Sequence, residues 1–364
     1  MTESSKKNRI IFIDLMRAFA VLQMVQGHTV DVLLSDNFRD LNNPIFSFWL
    51  FMRGMTAPIF MFTAGTVFTY LFRLVNEPFK NNPRVKKGIK RFLLLFVLGY
   101  LLRYPTPTLV LFNNVTADQW KTFFAVDVLQ LIGFGILFLM ILAYIAEKTK
   151  LSDYLVFSAA ALLFFVLYVP FSQIDWLKYL PAPLAGYFYS GSGSNFPLFP
   201  WIGYVISGGV LGSYLAKKPD VFKSARFSMN LSLFGIGFIV LALVGNVVEQ
   251  YVASSSNFWT TSPNLILYRM GIVLILNSLV SFISLKVNSI PKLIILVGRN
   301  TLLIYIVHLS MLYGSAWNPG LIIPFGRSFS AWLTITSALI MITLMVVMVT
   351  MINKFKIRNK QLVT

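Results

Sequence analysis

The chain has 364 residues, of which 57% are hydrophobic and 12% charged, and its mean hydropathy is +0.72. That composition is that of a polytopic helical membrane protein rather than a soluble domain. With no Cys and two His, thiol catalysis, disulfides and Cys-ligated metals are excluded, and no dedicated metal site is expected. The net charge of +18 comes from basic residues in short runs between apolar spans. This is the positive-inside pattern of membrane topology, so no nucleic-acid partner is expected.

Ten spans are expected, each long enough to cross a hydrocarbon core with roughly 20 residues. The first, Ile10–Leu34, follows MTESSKKNR without a small-residue cleavage site and reads as a retained helix, not a signal peptide. Ile45–Phe72 is the second. The third, Gly88–Val110, contains Arg103, Pro105 and Pro107; a proline ends or kinks a helix, so this span is expected to stop near Tyr104. Thr122–Ala146, Tyr154–Pro170 and Phe196–Ala216 follow, then Ser228–Glu249, Asn264–Leu285, Leu293–Ser315 and Phe329–Ile352. The basic run Arg84–Arg91 is topogenic or binds anionic lipid headgroups. The longest gap, Phe171–Asn195, includes GYFYSGSGSN and reads as a flexible connector or a cover over a substrate site. No internal repeat is evident, which weighs against transporters built from two halves.

Placing the N-terminus in the cytoplasm puts 22 of the 31 Lys and Arg residues inside and only Arg39, Lys121, Lys178 and Arg327 outside. That asymmetry predicts both termini in the cytoplasm. The whole of 1–364 is expected to form one all-α transmembrane domain, with 1–9 and 353–364 as cytoplasmic tails.

The first span carries Asp14, Arg17, His28 and Asp31. A charge near the bilayer centre costs at least about 2.5–3.5 kcal/mol, so such groups face protein or a wet cavity. Their spacings place all four on one helical face, a stripe expected to line a reaction channel; Arg17 and His28 are about 16 Å apart along the axis. By depth, Asp14, Arg17 and Arg299 fall in the cytoplasmic half. His28, Asp31, Arg53, Arg103, Asp127, Arg269 and His308 fall in the outer half. A packing pair such as Asp14 with Arg299 accounts for some of these, but the outer group is expected to be an active or transport site. His28 is the candidate general base, with Asp31 one turn on to orient it; the alternative is an interhelical hydrogen bond. His308 either binds substrate or stabilises the bundle.

Several blocks carry a family resemblance. Arg17 and His28 stand as Arg-x10-His in RIIFIDLMRAFAVLQMVQGH, which resembles the acyltransferase-3 family of integral membrane acyltransferases. The same opening is similar to bacterial relatives of heparan-alpha-glucosaminide N-acetyltransferase, with an Ile-Asp-x-x-Arg block. RGMTAPIFMFTAG, VDVLQLIGFG, FPLFPWIGYVISGGVLG and VGRNTLLIYIVHL extend the match, and Ala18 departs from it where these families usually carry Gly. The resemblance implies a transferase using acyl-CoA, most simply acetyl-CoA, from the cytoplasm and a carbohydrate or glycoconjugate acceptor on the other side. His28 is then the base, or briefly carries the acyl group, and Arg17 holds the donor, with Arg299 and Asp14 beside it. Arg53, Asp127, Arg269 and His308 are left to the acceptor, with Arg53 or Arg269 available to stabilise a developing oxyanion. Acyl-CoA is a co-substrate here and no bound cofactor is expected. The other partners are membrane lipids, and short loops point to a bacterial inner membrane. The competing reading is a proton-coupled transporter or flippase with His28, Asp31 and Asp127 as a relay.

Overall fold

A computed structural model describes residues 11–252, 257–287 and 291–361. The expected N-terminal tail 1–9, the first residue of the expected first span and the last three residues lie outside the described residues. Fifteen α-helices follow in order: α1 Ile11–Leu33, α2 Pro44–Arg73, α3 Pro83–Leu102, α4 Ala117–Phe124, α5 Val128–Thr149, α6 Asp153–Val166, α7 Tyr168–Gln173, α8 Ala182–Ala185, α9 Leu198–Lys217, α10 Ala225–Val252, α11 Asn264–Lys286, α12 Lys292–Arg299, α13 Thr301–Tyr313, α14 Ile322–Phe325 and α15 Ala331–Gln361. A two-residue strand pair, β1 Gly314–Ser315 and β2 Asn318–Pro319, is the only sheet among the described residues. The protein is an all-α multi-pass membrane protein.

Seven helices or merged pairs among the described residues are long and apolar enough to cross a membrane, and eight if the bent pair α12–α13 is one span. This is fewer than the ten expected. Each expected span has a helix, but α1 is diluted by Asp14, Arg17, Gln23, Gln26, His28 and Asp31, and the first half of α3 carries five Lys and Arg. Three spans are broken, the fifth into α6 and α7 at Leu167. The fourth divides into α4 and α5 at Asp127, whose carboxylate caps α5 in a reciprocal box with Gln130. The ninth bends by 73° at Asn300, where φ/ψ leaves the helical region and the side-chain amide donates to Leu296 O at 2.8 Å. Helix α15 runs beyond the expected end at Ile352, since KFKIRNKQ contains neither Pro nor Gly to stop it.

The centre of the bundle is the α2–α9 pair. A Cβ at Gly65 would run into the carbonyl of Val205, and one at Gly208 into that of Phe62, so these glycines let the two backbones close up. Asp153, at the first turn of α6, locks this pair to a third helix. Its carboxylate accepts from Arg73 at 2.7 Å and Ser213 at 2.6 Å and lies 3.2 Å from Lys217. Helix α1 is buried along its middle, with Met16, Ala20, Val21 and Val25 at 0% exposure. It packs on α12, where Gly298 lies against the carbonyl of Asp14. The stretch 186–195, expected to be flexible, is packed: Ser192 and Ser194 are buried, and Ser194 Oγ accepts from Val126 N at 2.9 Å.

Candidate functional site

The last two turns of α1 are fixed from both sides. Gln23 donates to Met52 O at 2.6 Å, tying α1 to α2. Beyond Leu33, Ser35 N donates to Phe329 O, while Phe329 N and Arg327 N donate back to Leu33 O and Val32 O. Arg39 closes the helix end, donating to Asp31 O at 2.6 Å and Leu34 O at 3.0 Å, and so satisfies carbonyls that have no partner inside the helix. His28 and Asp31 are therefore held on a rigid stem.

They face a cavity of about 1700 Å³ whose wall includes His28, Asp31, Arg53, Asp127 and Arg269. With Arg103, which also lines it, six residues expected from sequence thus meet around one space. The stripe does not line a single channel, however: this wall reaches along α1 only to Met24 and includes neither Arg17 nor Asp14. Between them α1 is sealed by its packing, with Ala20 and Val21 fully buried. At 1.5 Å per residue, Met24 and Arg17 are about 10 Å apart.

His28 Nδ1 is 3.0 Å from the Tyr313 hydroxyl, and that hydroxyl donates to Asp31 Oδ2 at 3.4 Å. Asp31 does not contact the imidazole directly, as one turn of spacing had suggested; Tyr313, at the end of α13, stands between them. Asp31 Oδ2 also accepts from Arg53 at 2.8 Å, and Arg39 approaches its other oxygen at 3.6 Å. Asp127 is likewise committed, pairing with Arg103 at 2.7 Å while it caps α5. Arg269 differs. Its guanidinium lies 5.6 Å from the centre of the Trp201 ring, and no carboxylate lies within ion-pair distance of it among the described residues.

His308 is not on the cavity wall. It is fully buried behind His28, with ring centres 5.6 Å apart, so it reaches an acceptor only through His28. Its Nδ1 lies 2.7 Å from Ile304 O and therefore carries the proton. Arg17 lies at the other end of α1, where Nη2 donates to Thr301 Oγ1 at 3.3 Å across the α12–α13 break. Arg91, Arg299 and Asp14 lie within electrostatic reach of it. Among the described residues no three His, Asp or Glu side chains gather in a metal-binding group.

Tyr313, Arg39 and Trp201 escaped the sequence reading. Tyr313 follows His308 by five residues on one helix, but a phenol carries no charge to mark it inside an apolar span. Arg39 was counted as a loop charge, and its capping role shows only once α1 ends against it.

The helical membrane bundle thus presents the His28 imidazole, linked through Tyr313 to the Asp31 carboxylate, to a large cavity. The chain belongs to the family described as heparan-alpha-glucosaminide N-acetyltransferase, catalytic, whose model matches residues 9–246. Membership places it among membrane acetyltransferases. The match covers His28, Asp31 and Arg53 and stops within α10, short of Arg269, Arg299, His308 and Tyr313. No individually curated protein matches the chain.

Proposed function

We propose that this protein transfers an acetyl group from acetyl-CoA on the cytoplasmic face to a hydroxyl or amine of an extracytoplasmic carbohydrate or glycoconjugate. The chain acts as one domain, 1–364, in a bacterial inner membrane with both termini in the cytoplasm. The observation that carries the reading is His28 on the cavity wall, joined through Tyr313 to the Asp31 carboxylate. As base, His28 takes the acceptor proton as the acceptor oxygen or nitrogen attacks the thioester carbonyl. The new C–O or C–N bond forms, the C–S bond breaks, and the proton passes to the departing CoA sulfur. Arg17, with Arg91 and Arg299 close by, suits the donor's phosphates, and for the pantetheine arm to cover the 10 Å or so to Met24 the packing around Ala20 and Val21 must open. Arg269 over Trp201, with Trp259 and Tyr268 also on the wall, offers a cation and aromatic faces to a sugar. Family membership favours transfer over the transport reading.

The test is purified protein in liposomes with radiolabelled acetyl-CoA and a panel of glycans. Labelled glycan is the expected product. His28→Ala should lower the rate by about 10²–10⁴-fold and still purify as a folded protein. Accumulation of an unmodified glycan, with acetyl-CoA untouched, would instead establish transport.

A further inference from the structure

The His28 to Tyr313 to Asp31 arrangement goes beyond a base with a neighbouring acid. A neutral imidazole donates from one nitrogen and accepts at the other, and which is which follows from its partner. Tyr313 has a single hydroxyl hydrogen. Asp31, held by Arg53 at 2.8 Å, is an acceptor only, so that hydrogen goes to Asp31 Oδ2. The phenolic oxygen is then left to accept, and the hydrogen it accepts is the one on His28 Nδ1, 3.0 Å away. Nε2 is left bare, with its lone pair free. His308, behind it, holds its own proton on Ile304 O, and its Nε2 makes no hydrogen bond to His28. Tyr313 also stands edge-on to His28, its ring centre 5.6 Å away, so it restrains the imidazole plane as well as its tautomer.

We propose that Tyr313 is a positioning residue that sets His28 in the Nδ1–H tautomer and links it to the Asp31–Arg53 pair, leaving Nε2 as the proton acceptor of the transfer reaction. This rests on the transferase reading for its kinetic part and on geometry alone for its tautomer part. When Nε2 takes the acceptor proton, the imidazolium keeps its Nδ1 hydrogen on Tyr313. The charge is offset by Asp31 through the phenol, and the Nε2 proton leaves with the CoA sulfur. No further oxidant, base or cofactor is needed.

The chain has only two histidines, so both imidazoles can be followed by nitrogen NMR of protein labelled with ¹⁵N-histidine in detergent or nanodiscs. His28 is expected in the Nδ1–H form, and Tyr313→Phe should convert it to a mixture of tautomers while the His308 signal stays. Tyr313 has 39% of its surface exposed, so removing the hydroxyl alone opens no core cavity. In turnover, Tyr313→Phe should lower kcat roughly 10–100-fold, the equivalent of one charge-linked hydrogen bond, with the KM for acetyl-CoA unmoved. Asp31→Asn added to Tyr313→Phe should cost little more than the worse single change, because the residues act as a unit. An unchanged tautomer in Tyr313→Phe, a wild-type kcat, or fully additive losses would each overturn the proposal. A tautomer shift in a protein that never turns over acetyl-CoA would leave the hydrogen-bond relay standing and remove the transferase reading.

Discussion

Arg17→Ala separates donor binding from bundle packing. Among the described residues Arg17 makes one side-chain hydrogen bond, to the neutral Thr301 Oγ1, and at 3.3 Å it is a long one. Losing such a bond costs about 0.5–1.5 kcal/mol of stability. A guanidinium bound to a CoA phosphate is worth about 1.5–3 kcal/mol, which is roughly a 10–150-fold rise in the apparent KM for acetyl-CoA. Thr301 is buried and close in shape to Val, so Thr301→Val removes the same internal bond and leaves the cation in place. The assay is initial rate against acetyl-CoA concentration at saturating acceptor, with thermal melting in detergent alongside. Arg17→Ala should raise donor KM by one to two decades, and Thr301→Val should move melting more than KM. Equal donor KM values for Arg17→Ala and the wild type, with a lowered melting temperature, would show that Arg17 only holds α1 to α13.

Asp153→Ala should destabilise the protein by about 3 kcal/mol, because it strands Arg73 between α2 and α6 without its carboxylate, and denaturant or thermal unfolding in detergent measures this; melting at the wild-type temperature would show that the Arg73–Asp153–Lys217 group is dispensable. The absence of Cys allows single labels. Cysteine at Lys80, between α2 and α3, should be reached by an impermeant thiol reagent only after cells are opened, and cysteine at Asn114, before α4, in intact cells; the reverse pattern would invert the topology.

The first helix was legible because charges inside an apolar run stand out and their spacing selects one face. The cavity wall includes His28 and Asp31 and stops short of Arg17, since periodicity says which face a residue shares but not how far a void extends along it. The resemblance blocks likewise led to the family now matched over 9–246, which takes in all of them but VGRNTLLIYIVHL. What stayed hidden depends on long-range pairing. Tyr313 meets His28 across 285 positions, and its hydroxyl counts for little in a hydropathy profile. Asp153 lies just before the expected span Tyr154–Pro170, and only the α2–α6–α9 packing makes it a three-helix staple. Likewise, Gly298-Arg299-Asn300 contains no proline, so the 73° break was not anticipated.

The central claim is that the donor and the acceptor meet at His28 from opposite faces of the membrane. Liposomes carrying the protein in one orientation test it directly, with radiolabelled acetyl-CoA supplied only to the face bearing Lys80 and the glycan acceptor only to the other. Labelled glycan, lost in His28→Ala, is the predicted result. Product that forms only when both substrates share one face would contradict transfer through the bundle.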